Sequence, residues 1–152
     1  MPPRKSRHGK GSRRALRGTA ALEFGLAVPL LALLLTAIVE IGFSMYQAMQ
    51  TNYAAEAGLA YAAKNGWDSS GIASAATGST GLSGMTATPT QFCGCPSSTG
   101  IATVTCGATC SGGQTAGQYI TISVSLTRTS ILGTTGCGLP SSFSAQSILR
   151  QN

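Results

Sequence analysis

Between Phe24 and Val39 the chain reads FGLAVPLLALLLTAIV, sixteen residues without a charge and with Thr36 as the only polar side chain. Such a run either fills a protein core or crosses a bilayer. Extended to Ala20 and Phe43, it takes in Glu23 and Glu40 near its ends. Their separation of about 26 Å along a helix is close to the ~30 Å of a hydrocarbon core. Both carboxylates can then lie near the interfaces. The rest of the chain is too small and too polar to surround this helix as a core. A cleaved secretory signal would show a small-x-small pattern soon after the apolar run, and the following EIGFSMYQAMQ fits poorly. The expectation is a retained transmembrane helix over 19–43.

Charge sets the orientation. The 152 residues carry a formal net charge of +6 yet are only 9% charged, against about 25% in ordinary soluble domains. Seven of the ten bases lie in the first seventeen residues: Arg4, Lys5, Arg7, Lys10, Arg13, Arg14 and Arg17. The remainder of the chain holds Lys64, Arg128 and Arg150 against Glu23, Glu40, Glu56 and Asp68, a net of −1. By the positive-inside bias the N-terminus is cytoplasmic and residues 44–152 lie outside. Membrane lipid is then an expected partner.

The same distribution excludes several functions. A nucleic-acid-binding domain needs cations spread over a folded face, which the body lacks. The basic tail could touch phosphate, but a membrane-flanking position accounts for it more simply. The one His, His8, is in the tail, and the four acids are scattered. There is no phosphate loop, triad or paired carboxylate. We expect no enzyme, no cofactor, no metal, no nucleic acid and no small-molecule substrate.

Composition divides the chain into a basic segment (1–18), an Ala- and Leu-rich segment (19–65) and a Gly/Ser/Thr-rich segment with all five Cys (66–152). Ala dominates 54–63, so the helix should continue beyond the membrane over 44–65. It should stop at Asn65-Gly66. Pro29 should kink or loosen it locally. Met45, Met49, Tyr53, Ala57, Ala60 and Tyr61 recur at near-helical spacing, and packing against the C-terminal zone is the simpler reading of that stripe. Within 118–128, Ile120, Ile122, Val124 and Leu126 alternate with polar residues, the clearest strand in the chain. Ile101–Cys106 reads as a weaker strand with Ala102, Val104 and Cys106 on one side, and Phe143–Arg150 as a third. Residues 69–90 read as a long loop with room for a short helix. The expected class is α+β: a long membrane-spanning helix, then a small antiparallel β-rich, extracytoplasmic domain.

The cysteines are Cys93, Cys95, Cys106, Cys110 and Cys137. All fall in the zone placed outside the cytoplasm, where disulfides persist. Five permits two bridges, with Cys137 free or intermolecular. Cys93 and Cys95 are too close to bridge each other, so their segment should pair with the Cys106/Cys110 segment, in either connectivity. A redox pair or a zinc site would be the sharper alternatives. The CxC and CxxxC spacings suit zinc poorly. No cation between Lys64 and Arg128 is available to activate a thiol.

The most specific feature is the junction Arg17-Gly18-Thr19-Ala20-Ala21-Leu22-Glu23-Phe24. A carboxylate in the first turns of a membrane segment is costly. A cut after Gly18 would free the Thr19 amine and make Glu23 the fifth residue. The two could then pair, within one copy or between copies. Basic peptide, Gly, and Glu at the fifth following position before a long apolar helix together resemble a type IV prepilin leader. RGTAALEFGLAVPLLALLLTAIVEIG is similar to the N-terminus of the TadE-like family, minor pilins or pseudopilins of the Tad/Flp tight-adherence pilus. AAEAGLAYAAKNG continues the similarity, and SSFSAQSILRQN resembles that family's closing strand with its terminal Arg, here Arg150. The resemblance covers 17–66 most closely, 118–152 less so, and leaves out 67–117.

The resemblance implies a pilin-like fold, with Gly18 before the cut made by prepilin peptidase and Thr19 as the mature N-terminus. Glu23, with Phe24 beside it, would serve processing and subunit packing. It implies as partners the peptidase, other pilins or pseudopilins and the Tad assembly machinery, at the bacterial inner membrane. The competing expectation is a single-span protein with an uncleaved signal anchor and an adhesive or binding head.

Overall fold

The computed structural model describes residues 12–128, 130 and 138–151, with side chains described from Ala20 onward. Cys137 and the question of its free thiol lie outside the described residues. The fold is α+β. Helix α1 (Ser12–Asn65) is followed by α2 (Ser69–Gly78) and strands β1 (Met85–Ser97), β2 (Gly100–Thr103), β3 (Gly117–Thr127) and β4 (Ser142–Gln151). The chain divides into two compact units, with the boundary between Val39 and Glu40.

The first unit is the membrane candidate. The helix starting at Ala20 is long and apolar enough to cross a bilayer, with mean hydropathy 2.3 in its most apolar eighteen residues. Only 6% of that window is buried within the protein. Leu22, Leu26, Leu30 and Leu33 all point outward, uncovered by protein. A soluble core helix would hide them, whereas lipid suits them. The helix runs through Pro29. Thr36 donates its hydroxyl hydrogen to the Ala32 carbonyl, so the one polar side chain of the run is satisfied within the helix.

The second unit is a head built on a four-stranded antiparallel sheet of order β2-β1-β3-β4. Alternation in β3 sends Ile120, Ile122, Val124 and Leu126 to one face. There they pack with Ala54, Ala55 and Ala62 of α1 and with Ile72 and Ala76 of α2. Small residues on α1 make close approach possible. A Cβ added at Gly58 would run into Ile122 Cδ1, and would sit 3.2 Å from Ala76 Cβ and 3.3 Å from the Ile72 carbonyl oxygen. Gly58→Val should therefore destabilise the head by about 2–3 kcal/mol through overpacking. Thermal unfolding of the detergent-solubilised protein measures this directly.

Three expectations need correction. Only the far end of the Met/aromatic stripe packs on the head: Tyr61 lies against the core, whereas Met45, Met49 and Tyr53 are 64%, 71% and 56% exposed. The face that packs carries Glu40, Ser44, Gln47 and Thr51, then Ala54, Ala55 and Ala62. Small side chains allow the close contact with the sheet that Met and Tyr would prevent. Second, residues 69–90 hold the short helix they had room for, α2, but the rest is not loop throughout, since a strand starts within it. Asp68 caps α2, and β1 begins at Met85. Pro89 lies within β1, opposite Ile122, where β2 does not reach the far edge, and an open edge is where a strand tolerates proline. Third, the strand expected over 101–106 is β2, which ends at Thr103. Val104 then leaves it and donates its N–H to the Cys93 carbonyl at 2.9 Å.

Candidate functional site: the leader junction and the base of the head

Gly18 and Thr19 lie within α1. Glycine costs a helix about 1 kcal/mol relative to alanine, so Gly18 is a weak point in that segment. Glu23 follows on the same helix and is exposed, as is Phe24. Among the described residues Glu23 makes no ion pair. A carboxylate set among outward-facing Leu22, Phe24 and Leu26, with no ion-pair partner among the described residues of its own chain, is placed to be satisfied by another group once in lipid.

Glu40 is treated differently. It is 1% exposed and pairs with the Arg128 guanidinium, itself 6% exposed at the side chain. Arg128 stands just past the end of β3, and its backbone N–H is held by the Ser141 carbonyl at 3.0 Å. On the helix, Ser44, Gln47 and Thr51 continue from Glu40 along one buried face. Thr51 donates to the Gln47 carbonyl at 2.8 Å. A buried polar face thus marks the first turns after the apolar run and gives way to alanines further along. Sequence reading placed Glu40 at the interface but found no partner for it. The available signal was scarcity: only three bases come after the leader, so a buried acid has few possible counterions.

Cys93 bonds to Cys106 and Cys95 to Cys110, with Cα–Cα separations of 5.1 and 5.6 Å. Two residues apart on β1, Cys93 and Cys95 share a face and pin the segment after β2 at two points. That segment closes as a small loop. Ala116 donates to Ala108 at 2.8 Å, Cys110 donates to Gln114 at 2.7 Å, and Thr109 bridges Thr115. Each bridge closes a loop of 13 or 15 residues, a size for which a disulfide contributes about 3 kcal/mol. Among the described residues no cluster of His, Cys, Asp or Glu is arranged to hold a metal.

The remaining shaped polar group is the α2 cap. Asp68 accepts from the Ser70 N–H at 3.2 Å and the Ser70 hydroxyl at 2.8 Å. Hydrogen bonds from the Gly71 backbone N–H and then from Ser70 hold its carboxyl below the usual aspartate range. With the folded value depressed, the cap's contribution is complete above the ordinary Asp range near pH 4. It is lost as pH falls through the lower folded value. Amide exchange in α2 should therefore quicken at acid pH before exchange in β3 does, and Asp68→Asn should remove that pH dependence.

Residues 18–60 match the family model of TadE-like proteins. The match begins at Gly18, includes Glu23, Phe24 and Glu40, and ends before the sheet. None of the curated proteins and none of the solved structures compared matches the chain.

Proposed function

We propose that this protein is a minor pilin or pseudopilin of a Tad/Flp-type adhesive pilus. Prepilin peptidase cuts it between Gly18 and Thr19. The leader is cytoplasmic, the apolar part of α1 crosses the inner membrane, and the head stands on the periplasmic side. The seven bases of the leader and their absence directly after it support that orientation. Disulfide-bonded cysteines suit an oxidising compartment. The role is structural: it works by assembly with other pilins and the Tad machinery and calls on no cofactor or substrate.

The observation that carries this reading is the spacing of Gly18 and Glu23 at the start of an outward-facing apolar helix, inside the family match. Glu23 has no ion-pair partner in its own chain among the described residues. The free Thr19 amine of the processed form, from the same or an adjacent copy, supplies one. Deletion of the gene in its host should abolish or reduce surface pili. The wild-type chain should restore them and Glu23→Ala should not, although its head folds and is oxidised normally. Full piliation with Glu23→Ala would contradict the role given to that carboxylate.

A further inference from the structure

The sheet has a second face. The core residues of β3 point toward α1 and α2, so the alternate residues of β1, β3 and β4 form the opposite, outer face. From one end it presents Thr86, Ser125 and Ser144 side by side, then Thr88, Ser123 and Gln146. All six are exposed. They form a hydrogen-bonded grid: Thr86 and Ser125 hydroxyls lie 2.7 Å apart, and Gln146 Nε2 donates to the Ser123 hydroxyl at 3.4 Å.

The far end of this face differs. Phe92, Tyr119 and Arg150 stand directly opposite one another across the three strands. The Phe92 and Tyr119 rings stack at 5.7 Å. Gly117 leaves room for the Arg150 side chain. A Cβ there would be 3.0 Å from Arg150 Nε and 3.3 Å from the Tyr119 ring. The guanidinium therefore lies across Gly117 beside a buried tyrosine. Among the described residues Arg150 makes no ion pair, and no acidic residue stands on this face.

The chemistry of this surface selects among partners. A protein partner would need buried aromatic or aliphatic anchors, and among the described residues Ile148 is the only exposed large hydrophobic side chain on the sheet. A nucleic acid would need several cations along its phosphates, and the face has one. A polysaccharide bearing carboxylates needs what is present. Its ring hydroxyls both donate and accept, as do the Ser, Thr and Gln side chains. Its carboxylate fits the planar fork of a positioned arginine. Because the grid stands on a rigid sheet, little order has to be imposed on binding. We infer that the outer face of the sheet binds an acidic, uronate-type polysaccharide, with Arg150 taking the carboxylate of one sugar and the hydroxyl grid, about 13 Å away along the strands beyond the Thr90, Thr121 and Ile148 row, taking the ring hydroxyls of sugars further along the polymer. The inference stands on the sheet alone and is independent of leader processing.

The test uses the full chain in lipid nanodiscs, with the seven leader bases changed to Gln in every sample so that they cannot attract polyanions. The probes are polygalacturonate, neutral dextran and poly-glutamate of similar length. The expected result is polygalacturonate binding about tenfold or more tighter than either control, since one charge-assisted bidentate contact accounts for about that factor. Arg150→Gln should reduce it about tenfold, Ser123→Ala should weaken it by a smaller factor, and Lys64→Gln should leave it unchanged. Arg150 is exposed, so its replacement leaves the disulfide-bonded core in place. Absence of polygalacturonate binding, equal binding of poly-glutamate or dextran, or wild-type binding by Arg150→Gln would each overturn the inference.

Discussion

Arg128→Ala should destabilise the head by about 3–5 kcal/mol, the cost of leaving a buried charge without its counterion. Glu40 is almost fully buried and pairs with Arg128. Taking away one member of such a pair leaves the other charged and desolvated, whereas replacing both with apolar groups can be nearly neutral. Glu40→Leu combined with Arg128→Met should therefore recover most of the stability that Arg128→Ala loses. Chemical unfolding in mild detergent, monitored by near-UV circular dichroism, distinguishes the two variants. Equal loss in both would mean that the pair itself contributes net stability.

This pair also shows where the sequence was legible and where it was not. The apolar helix, a candidate membrane span, was legible because its signal is one of composition: sixteen uncharged residues need no knowledge of tertiary structure. β3 was legible because its apolar residues alternate strictly with polar ones at 120, 122, 124 and 126, although Tyr119 and Thr121 on the other face are buried as well. β1 alternates only as far as Thr90, its inward residues there being Met85, Ala87 and Pro89, and it then runs through exposed Gln91 to three consecutive buried residues, Cys93, Gly94 and Cys95. The weak hydrophobicity of Ala87 and Pro89 hid the period, and Pro89 argued against a strand.

The exposed face of α1 was harder still. Met45, Met49 and Tyr53 are the more hydrophobic stripe, and hydrophobicity alone assigns them to the core. The sheet instead packs on Ala54, Ala55, Gly58 and Ala62, where closeness of backbone approach outweighs side-chain size. The Glu40–Arg128 contact joins residues 88 apart in sequence, and no local pattern announces such a pair. At the junction, the sequence supplied the whole constellation of Gly18, Thr19, Glu23 and Phe24. The structure adds that Glu23 and Phe24 face outward on an uncovered helix.

The second large effect is expected from the proposed cleavage, because its loss should be close to all-or-none. Replacing Gly18 with leucine should leave the chain unprocessed. The leader then stays attached with its seven bases, and the net charge, −1 in the processed chain, stays at +6 for the whole. A retained leader would block the Thr19 amine, so Glu23 would lose its proposed partner and pilus assembly should fail with processing. Conservative replacement of Thr19 by serine, which keeps a free amine after cleavage, should be tolerated.

The most direct measurement is the N-terminal residue and intact mass of the protein extracted from the membrane of its host. The account predicts Thr19 as the first residue in the wild-type chain, with residues 1–18 missing, and an intact leader in Gly18→Leu. An N-terminus that retains the leader in the wild-type chain, or a cut beyond Phe43 that releases the head, would contradict it.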